Sequence, residues 1–199
     1  MTTQQPLSLF VSSRMKELQA ERQAIGTLFA GSALLKYFIP WLWEEDAGAR
    51  PEPIRSTYLN EVGACDIYIG LFWLGYGPYT IEEFERARQL GKPCLIYQKD
   101  IDASGRDAQL TTFLQRINAV NGPDSLTVRK FRDPITPEAI AQTMVDDVMH
   151  LLTTDFREKR QQPTTNTQPI QQPGNITIKA KNRSIATYIN NGTITQNNY

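Results

Sequence analysis

Glu83 is placed where a carboxylate can do chemistry. It lies between Tyr79 and Tyr97, in a stretch that reads as a helix running directly into a strand. Helix positions begin after Thr80, Gly91 ends the helix as a left-handed C-terminal cap, and Pro93 opens an apolar run of strand length, Cys94 to Tyr97. In an open α/β sheet the residues just beyond a strand's carboxyl end line the ligand crevice. Glu83 follows the expected strand Asp66 to Phe72 through an aromatic, glycine-containing loop, Trp73 to Tyr79, so the pattern aims it at that crevice. The same residues admit a structural reading. Thr80, Ile81, Glu82 and Glu83 match a capping box, in which threonine and glutamate satisfy each other's backbone amides, a role worth about 1 kcal/mol. Glu82 and Glu85 fall on other helix faces.

Four loops are expected at one edge of the sheet: Ser12 and Ser13, Trp43 to Glu45, Trp73 to Tyr79, and Lys99 with Asp100. They are rich in aromatics and carboxylates. The single histidine, His150, falls late in the chain, which leaves no Ser-His or Cys-His pair, and no phosphate-loop or dinucleotide glycine pattern appears. Carboxylate chemistry remains. A carboxylate beside stacking aromatics suits cleavage of an N-glycosidic bond, because the sugar develops positive charge that an anion stabilises or captures. When the leaving group is nicotinamide it departs neutral from a cationic substrate, so no second carboxyl is needed as general acid. Trp43, Trp73, Tyr76 and Tyr79 are the candidate stacking faces. Ser12 and Ser13 are the candidates for ribose or phosphate contacts, although turn serines and loop aromatics also serve packing.

The elements that must hold these residues alternate. Leu7 to Val11 reads as a strand and is followed by an amphipathic helix carrying Met15, Leu18, Ile25 and Leu28. Lys36 to Trp43 reads as a second strand that Pro40 interrupts or confines to an edge. A helix from Pro53 to Val62 leads to the third strand, and a helix from Asp107 to Ala119 leads to a fifth strand, Leu126 to Phe131. The last helix starts at Thr136 and Pro137 and runs to about Phe156. This alternation predicts a flavodoxin-like α/β domain over residues 1–157, with a parallel five-stranded sheet in the order 2-1-3-4-5 and helices on both faces. Arg22 falls on the apolar face of the first helix and needs a partner, for which Asp66 is the expected carboxylate, while Glu21 is expected to face solvent.

With 199 residues, 40% of them hydrophobic, the chain can bury a core without covalent staples. Basic and acidic residues balance and form no basic stripe, so nucleic acid is not an expected partner. Cys65 and Cys94 lack metal-ligand spacing, so no metal site is expected. There is neither a signal-peptide pattern nor an apolar run of bilayer length. These features predict a cytoplasmic protein with no membrane partner and both thiols reduced.

Composition changes after Arg160. Residues 158–173 are rich in Gln, Pro and Thr and read as a linker. Residues 174–199 carry β-prone runs in which Ile176, Ile185 and Ile194 recur every nine residues, accompanied by Ile178 and Ile189. Such strands have no core of their own, and are expected to pair with copies of themselves as a closed bundle or a cross-β stack, with a disordered tail as the alternative.

Several local patterns also carry a family resemblance: Phe10 to Ser13, Leu18 to Arg22, Asp66 to Gly70, Tyr76 with Gly77, and Glu83 to Ala87 with Gly91 to Pro93. Together they resemble the DUF4062 family, over about residues 7 to 100. That family occurs as the amino-terminal module of bacterial and animal signalling or defence ATPases; in this sequence the expected linker and β-tail follow the α/β domain instead. The spacing from Glu83 through Ala87 to Gly91 and Lys92 also resembles nucleoside 2-deoxyribosyltransferases and, more distantly, TIR domains. The resemblance implies that Glu83 is catalytic, and that the substrate is NAD or another nucleotide rather than a bound cofactor. It also implies a role in signalling or antiviral defence, with a partner signalling protein. Two functions remain open: an N-glycoside hydrolase organised by its tail, and a non-catalytic module that binds a nucleotide or a protein.

Overall fold

A computed structural model of the chain describes residues 5–31, 36–161, 186–190 and 193–197. Five parallel strands form one sheet: β1 (Leu7–Ser13), β2 (Phe38–Trp41), β3 (Ile67–Phe72), β4 (Cys94–Lys99) and β5 (Val128–Phe131). Their order is β2-β1-β3-β4-β5, the order the alternation of elements predicts. The connecting helices are α1 (Gln19–Ala30), a short α2 (Trp43–Asp46), α3 (Ile54–Ala64), α4 (Pro78–Gln89), α5 (Ala108–Ile117) and α6 (Pro137–Gln161).

Strand periodicity divides the core into two layers, because successive side chains point to opposite faces of a sheet. Leu9 and Val11 of β1 and Ile67, Ile69 and Leu71 of β3 pack with Ile25 and Phe29 of α1 and Met144, Val145 and Val148 of α6. Phe10, Tyr68 and Phe72 face the other way and pack with Tyr58 and Val62 of α3, Phe84 and Ala87 of α4, and Leu110, Phe113 and Ile117 of α5. Both faces of β3 are buried, as its uninterrupted apolar sequence requires.

Local signals end α4 and start α6 as read. Gly91 has φ +66°, and beside it Lys92 N–H donates to the Ala87 carbonyl at 3.0 Å while Gly91 N–H donates to Arg88 at 3.0 Å, a Schellman closure. Thr136 accepts from the Ala139 amide at 3.2 Å at the start of α6.

Four expectations need correction. The second strand is shorter than Lys36 to Trp43 and forms the sheet edge, where Pro40 costs no ladder bond. The first helix begins at Gln19 rather than just after Ser13. Leu18 takes a left-handed φ of 57°, the preceding residues form a turn, and Met15 is 52% exposed instead of facing the core. Arg22 does not pair with Asp66; it meets Glu44. The Asp66 carboxylate instead accepts from the Ser8 amide at 2.8 Å. Glu21 is buried, not solvent-facing, because Lys99 reaches it at 2.8 Å.

The chain divides into two units, Met1–Thr153 and Thr154–Tyr199. Helix α6 extends to Gln161, past the expected end at Phe156 and into the segment read as a linker. In the second unit β6 (Ala186–Asn190) and β7 (Thr193–Asn197) pair antiparallel, with Ile189 opposite Ile194. Ile176, Ile178 and Ile185 lie outside the described residues.

Candidate active site

From β1 the chain moves outward to β2, and from β3 it moves the opposite way to β4. The sheet therefore changes direction between β1 and β3, and a crevice opens at the carboxyl ends of these two strands. Ser12 and Ser13 end β1, and α4 carries Glu83 down from the loop after β3. The two elements meet in a hydrogen bond from the Ser12 hydroxyl to Glu83 Oε2. It lies at the wall of a cavity of about 800 Å³.

Glu83 does not cap its own helix. Gly77 is the N-cap and Pro78 takes the first helical position, which puts Glu83 in the second turn, and the capping-box reading is corrected on that geometry. Burial against the aromatic walls pushes the Glu83 carboxyl up to about 7, since a charge there is poorly solvated. The Ser12 hydrogen bond acts in the opposite direction, and the neighbouring charge of Glu82 adds a smaller upward push.

This perturbation has a stability consequence. A carboxyl raised from 4.5 to about 7 leaves the folded protein more protonated than the unfolded chain between those pH values, so stability falls as pH rises through that window. Glu83→Gln removes the ionisation and keeps an oxygen for Ser12. It is expected to match wild type near pH 4 and to exceed it by up to about 3 kcal/mol at pH 8, taking 1.36 kcal/mol per pKa unit. Urea unfolding midpoints across that pH range measure this; a gain that does not grow with pH would place the carboxylate in a solvated setting.

The cavity brings together most of the residues singled out in the sequence. Ser12, Ser13, Trp43, Tyr76, Tyr79 and Glu83 all line it. Trp73 does not. Its indole N–H donates to the Ile101 carbonyl at 2.8 Å and Lys99 sits 4.4 Å from its ring centre, so this tryptophan packs behind the loop. The expected loop at Trp43 is instead the first turn of α2.

Sequence reasoning missed other lining residues. Trp41 stacks on Phe10 at 4.8 Å between ring centres and meets Trp43 edge-on at 6.0 Å, giving one aromatic wall from β1, β2 and α2. Tyr58 of α3 meets Tyr79 of α4 at 5.7 Å. Glu82 fixes that pair of helices by accepting from the Tyr58 hydroxyl and from both Nε and Nη2 of Arg55. The contribution of α3 has no local signature, because it depends on how α3 packs against α4.

Two further carboxylates fix the elements around the cavity. Glu17 accepts from the amides of Leu74 at 3.1 Å and Gly75 at 2.9 Å, tying the β1–α1 loop to the loop that carries Tyr76. The glycine leaves room for this contact, since a Cβ at Gly75 would meet the ends of the Arg14 and Glu17 side chains, which would have to shift. Glu44 pairs with buried Arg22.

Other chemistries lack their parts. Burial pushes the Cys65 and Cys94 thiols up to about 11, which removes thiolate character at neutral pH. Among the described residues no cluster of three or more His, Cys, Asp or Glu could hold a metal. No described helix is long and apolar enough to cross a membrane.

No curated protein matches this sequence. Among solved structures, the chain is similar to that titled "Structure of Clostridium botulinum CMP N-glycosidase, BcmB", at 15% identity and a TM-score of 0.43, over 69% of this chain and 98% of that one. The family described as "Domain of unknown function (DUF4062)" matches residues 8–149, most of the α/β domain and the whole crevice described above, and the chain belongs to that family.

Proposed function

We propose that this chain hydrolyses the N-glycosidic bond of NAD(P)+ or a related nucleotide, with Glu83 as the catalytic carboxylate. The supporting observation is that Glu83, free of helix capping, meets Ser12 at the wall of an aromatic cavity at the sheet's switch point. In the proposed reaction the C1′–N bond breaks and its electron pair leaves with nicotinamide, which departs neutral. The ribosyl cation faces the Glu83 anion, which either shields it or bonds to it transiently. Water then adds at C1′ and gives up one proton. A cationic pyridinium beside Glu83 lowers its pKa, so substrate binding itself favours the ionised form.

The proposed setting is a bacterial signalling or antiviral defence effector acting in the cytoplasm, with a partner signalling protein as a further component. The β-tail is proposed to organise copies of the chain: a two-stranded hairpin is marginal alone and leaves two open edges for further strands. Assembly would raise the local concentration of sites.

The test is release of nicotinamide or free base from NAD+, NADP+ and nucleotides by wild type and Glu83→Gln. Activity lost in the variant with folding and assembly intact supports the hydrolase. Inactivity of both, with the tail assembled, leaves a nucleotide- or protein-binding module. Truncation after Arg160 is expected to give a folded α/β domain of lower oligomeric state, read by light scattering; an unfolded product would assign the tail to the core.

A further inference from the structure

The loop from Ser13 to Glu17 is built around a buried cation. Arg22 is 4% exposed, and its Nη1 donates to the carbonyls of Glu17 at 2.8 Å and Arg14 at 3.3 Å and to the Ser13 hydroxyl oxygen. Its Nη2 donates to the Met15 carbonyl at 3.0 Å and pairs with Glu44. The loop's carbonyl oxygens, which would repel an anion, are therefore drawn onto the guanidinium. Donors remain among the residues that line the cavity. Ser13 accepts from Arg22, so its own proton stays available, and Arg14 uses Nη1 on Glu17 at 2.6 Å, which leaves its other nitrogens.

Charge pairing singles out one residue more. Of the basic side chains lining the cavity, Arg14 pairs with Glu17, Arg22 with Glu44 and Arg55 with Glu82. Lys16 has no carboxylate partner among the described residues. The acidic counterpart is Glu83, whose described hydrogen bond comes from a neutral hydroxyl. The cavity thus carries a spare ammonium on the β1–α1 loop and a spare carboxylate on α4. A ligand that matches both has an anionic group at one end and develops positive charge at the other.

We propose that Ser13, Arg14 and Lys16 form a phosphate subsite, which takes the 5′-phosphoryl group of the ribose whose C1′ faces Glu83. This deepens the hydrolase reading and rests on it for the placement of C1′. It makes the substrate class a 5′-phosphorylated N-glycoside, as in a mononucleotide or in NAD+, and makes free nucleosides poor ligands.

The experiment is calorimetric titration of the full-length chain with ribose 5-phosphate and with ribose, for wild type, Lys16→Met and Ser13→Ala, each checked for an unchanged melting temperature. Ribose 5-phosphate is expected to bind at least tenfold more tightly than ribose in wild type, as one or two charge-assisted hydrogen bonds provide. Lys16→Met should remove most of that preference, and Ser13→Ala a smaller part. Equal affinity for the two sugars, no binding of the phosphate ester, or a preference that survives both substitutions overturns the subsite. Turnover separates the two claims. Equal kcat/KM for a mononucleotide and its nucleoside would sink the subsite while leaving the hydrolase, whereas a phosphate preference without hydrolysis of any N-glycoside would sink the hydrolase alone.

Discussion

Glu83→Gln is expected to lower kcat/KM for cleavage of NAD+ by about 10³-fold, with KM changed far less than kcat. The magnitude follows from the role. Removing one preorganised group that stabilises developing charge in a site shielded from water costs roughly 10²- to 10³-fold, and loss of a full negative charge facing a cation belongs at the upper end or beyond it. Glutamine keeps the shape and the hydrogen bond from Ser12, so a loss of this size would report the charge itself. The pH profile adds a sign. Because the free carboxyl titrates at about 7 and must be ionised to face a ribosyl cation, wild-type kcat/KM should rise with pH and level off above that value. In the complex the pyridinium charge lowers the same pKa, so the rising limb of kcat should lie at lower pH than that of kcat/KM. Initial rates of nicotinamide release from pH 5 to 9 measure both. A limb that falls above pH 7 would mean that the protonated carboxyl is the active form, as general acid to a neutral base.

The sheet and the place of Glu83 within it were legible because their signals are local or follow general rules of chain topology. Gly91 and Pro93 mark a helix end and a strand start, and alternating elements with right-handed crossovers leave few strand orders. Ser12, Ser13, Tyr76, Tyr79 and Glu83 could be grouped because the two serines end β1 and the other three follow β3, two parallel strands whose carboxyl ends face the same way. Trp73 failed that reasoning since it is in the same loop as Tyr76 but turned toward Ile101 and Lys99. Position in a loop fixes where the backbone passes, while a tryptophan's direction is decided by the packing and hydrogen bond available to its indole.

What stayed hidden depends on contacts between elements distant in sequence. Arg55 and Tyr58 enter the cavity wall through Glu82, which lies 27 and 24 residues further along. Trp41 becomes a wall because β2 pairs with β1 in the register that sets Phe10 opposite it. Glu21 illustrates the converse. Its helical position suggested solvent, yet Lys99, 78 residues away at the end of β4, supplies the partner that permits burial.

Arg22 is the sharpest example, and its replacement is expected to cause the largest loss of stability. Its place on an apolar face signalled a buried cation, but the partner could not be deduced because three of the acceptors are backbone carbonyls of a single turn. Arg22→Met fills about the same volume, so little of its effect comes from a void. It leaves the carbonyls of Arg14, Met15 and Glu17 without this donor, together with the Ser13 hydroxyl and the Glu44 carboxylate. Breaking a buried pair from one side costs about 3 to 5 kcal/mol, and the partial exposure of Glu44 at 32% places the expected loss near the lower figure. Against a total stability of about 5 to 15 kcal/mol for a domain, that is a large fraction. Arg22→Lys should lie in between, since an ammonium keeps the charge but lacks the planar fork that reaches both sides of the loop. Urea unfolding of the three proteins gives the order. If Arg22→Met unfolds within 1 kcal/mol of wild type, the turn holds its shape without the guanidinium. The carbonyls then need no cation beneath them, and the account of how Ser13 and Lys16 are presented to the cavity has to be abandoned.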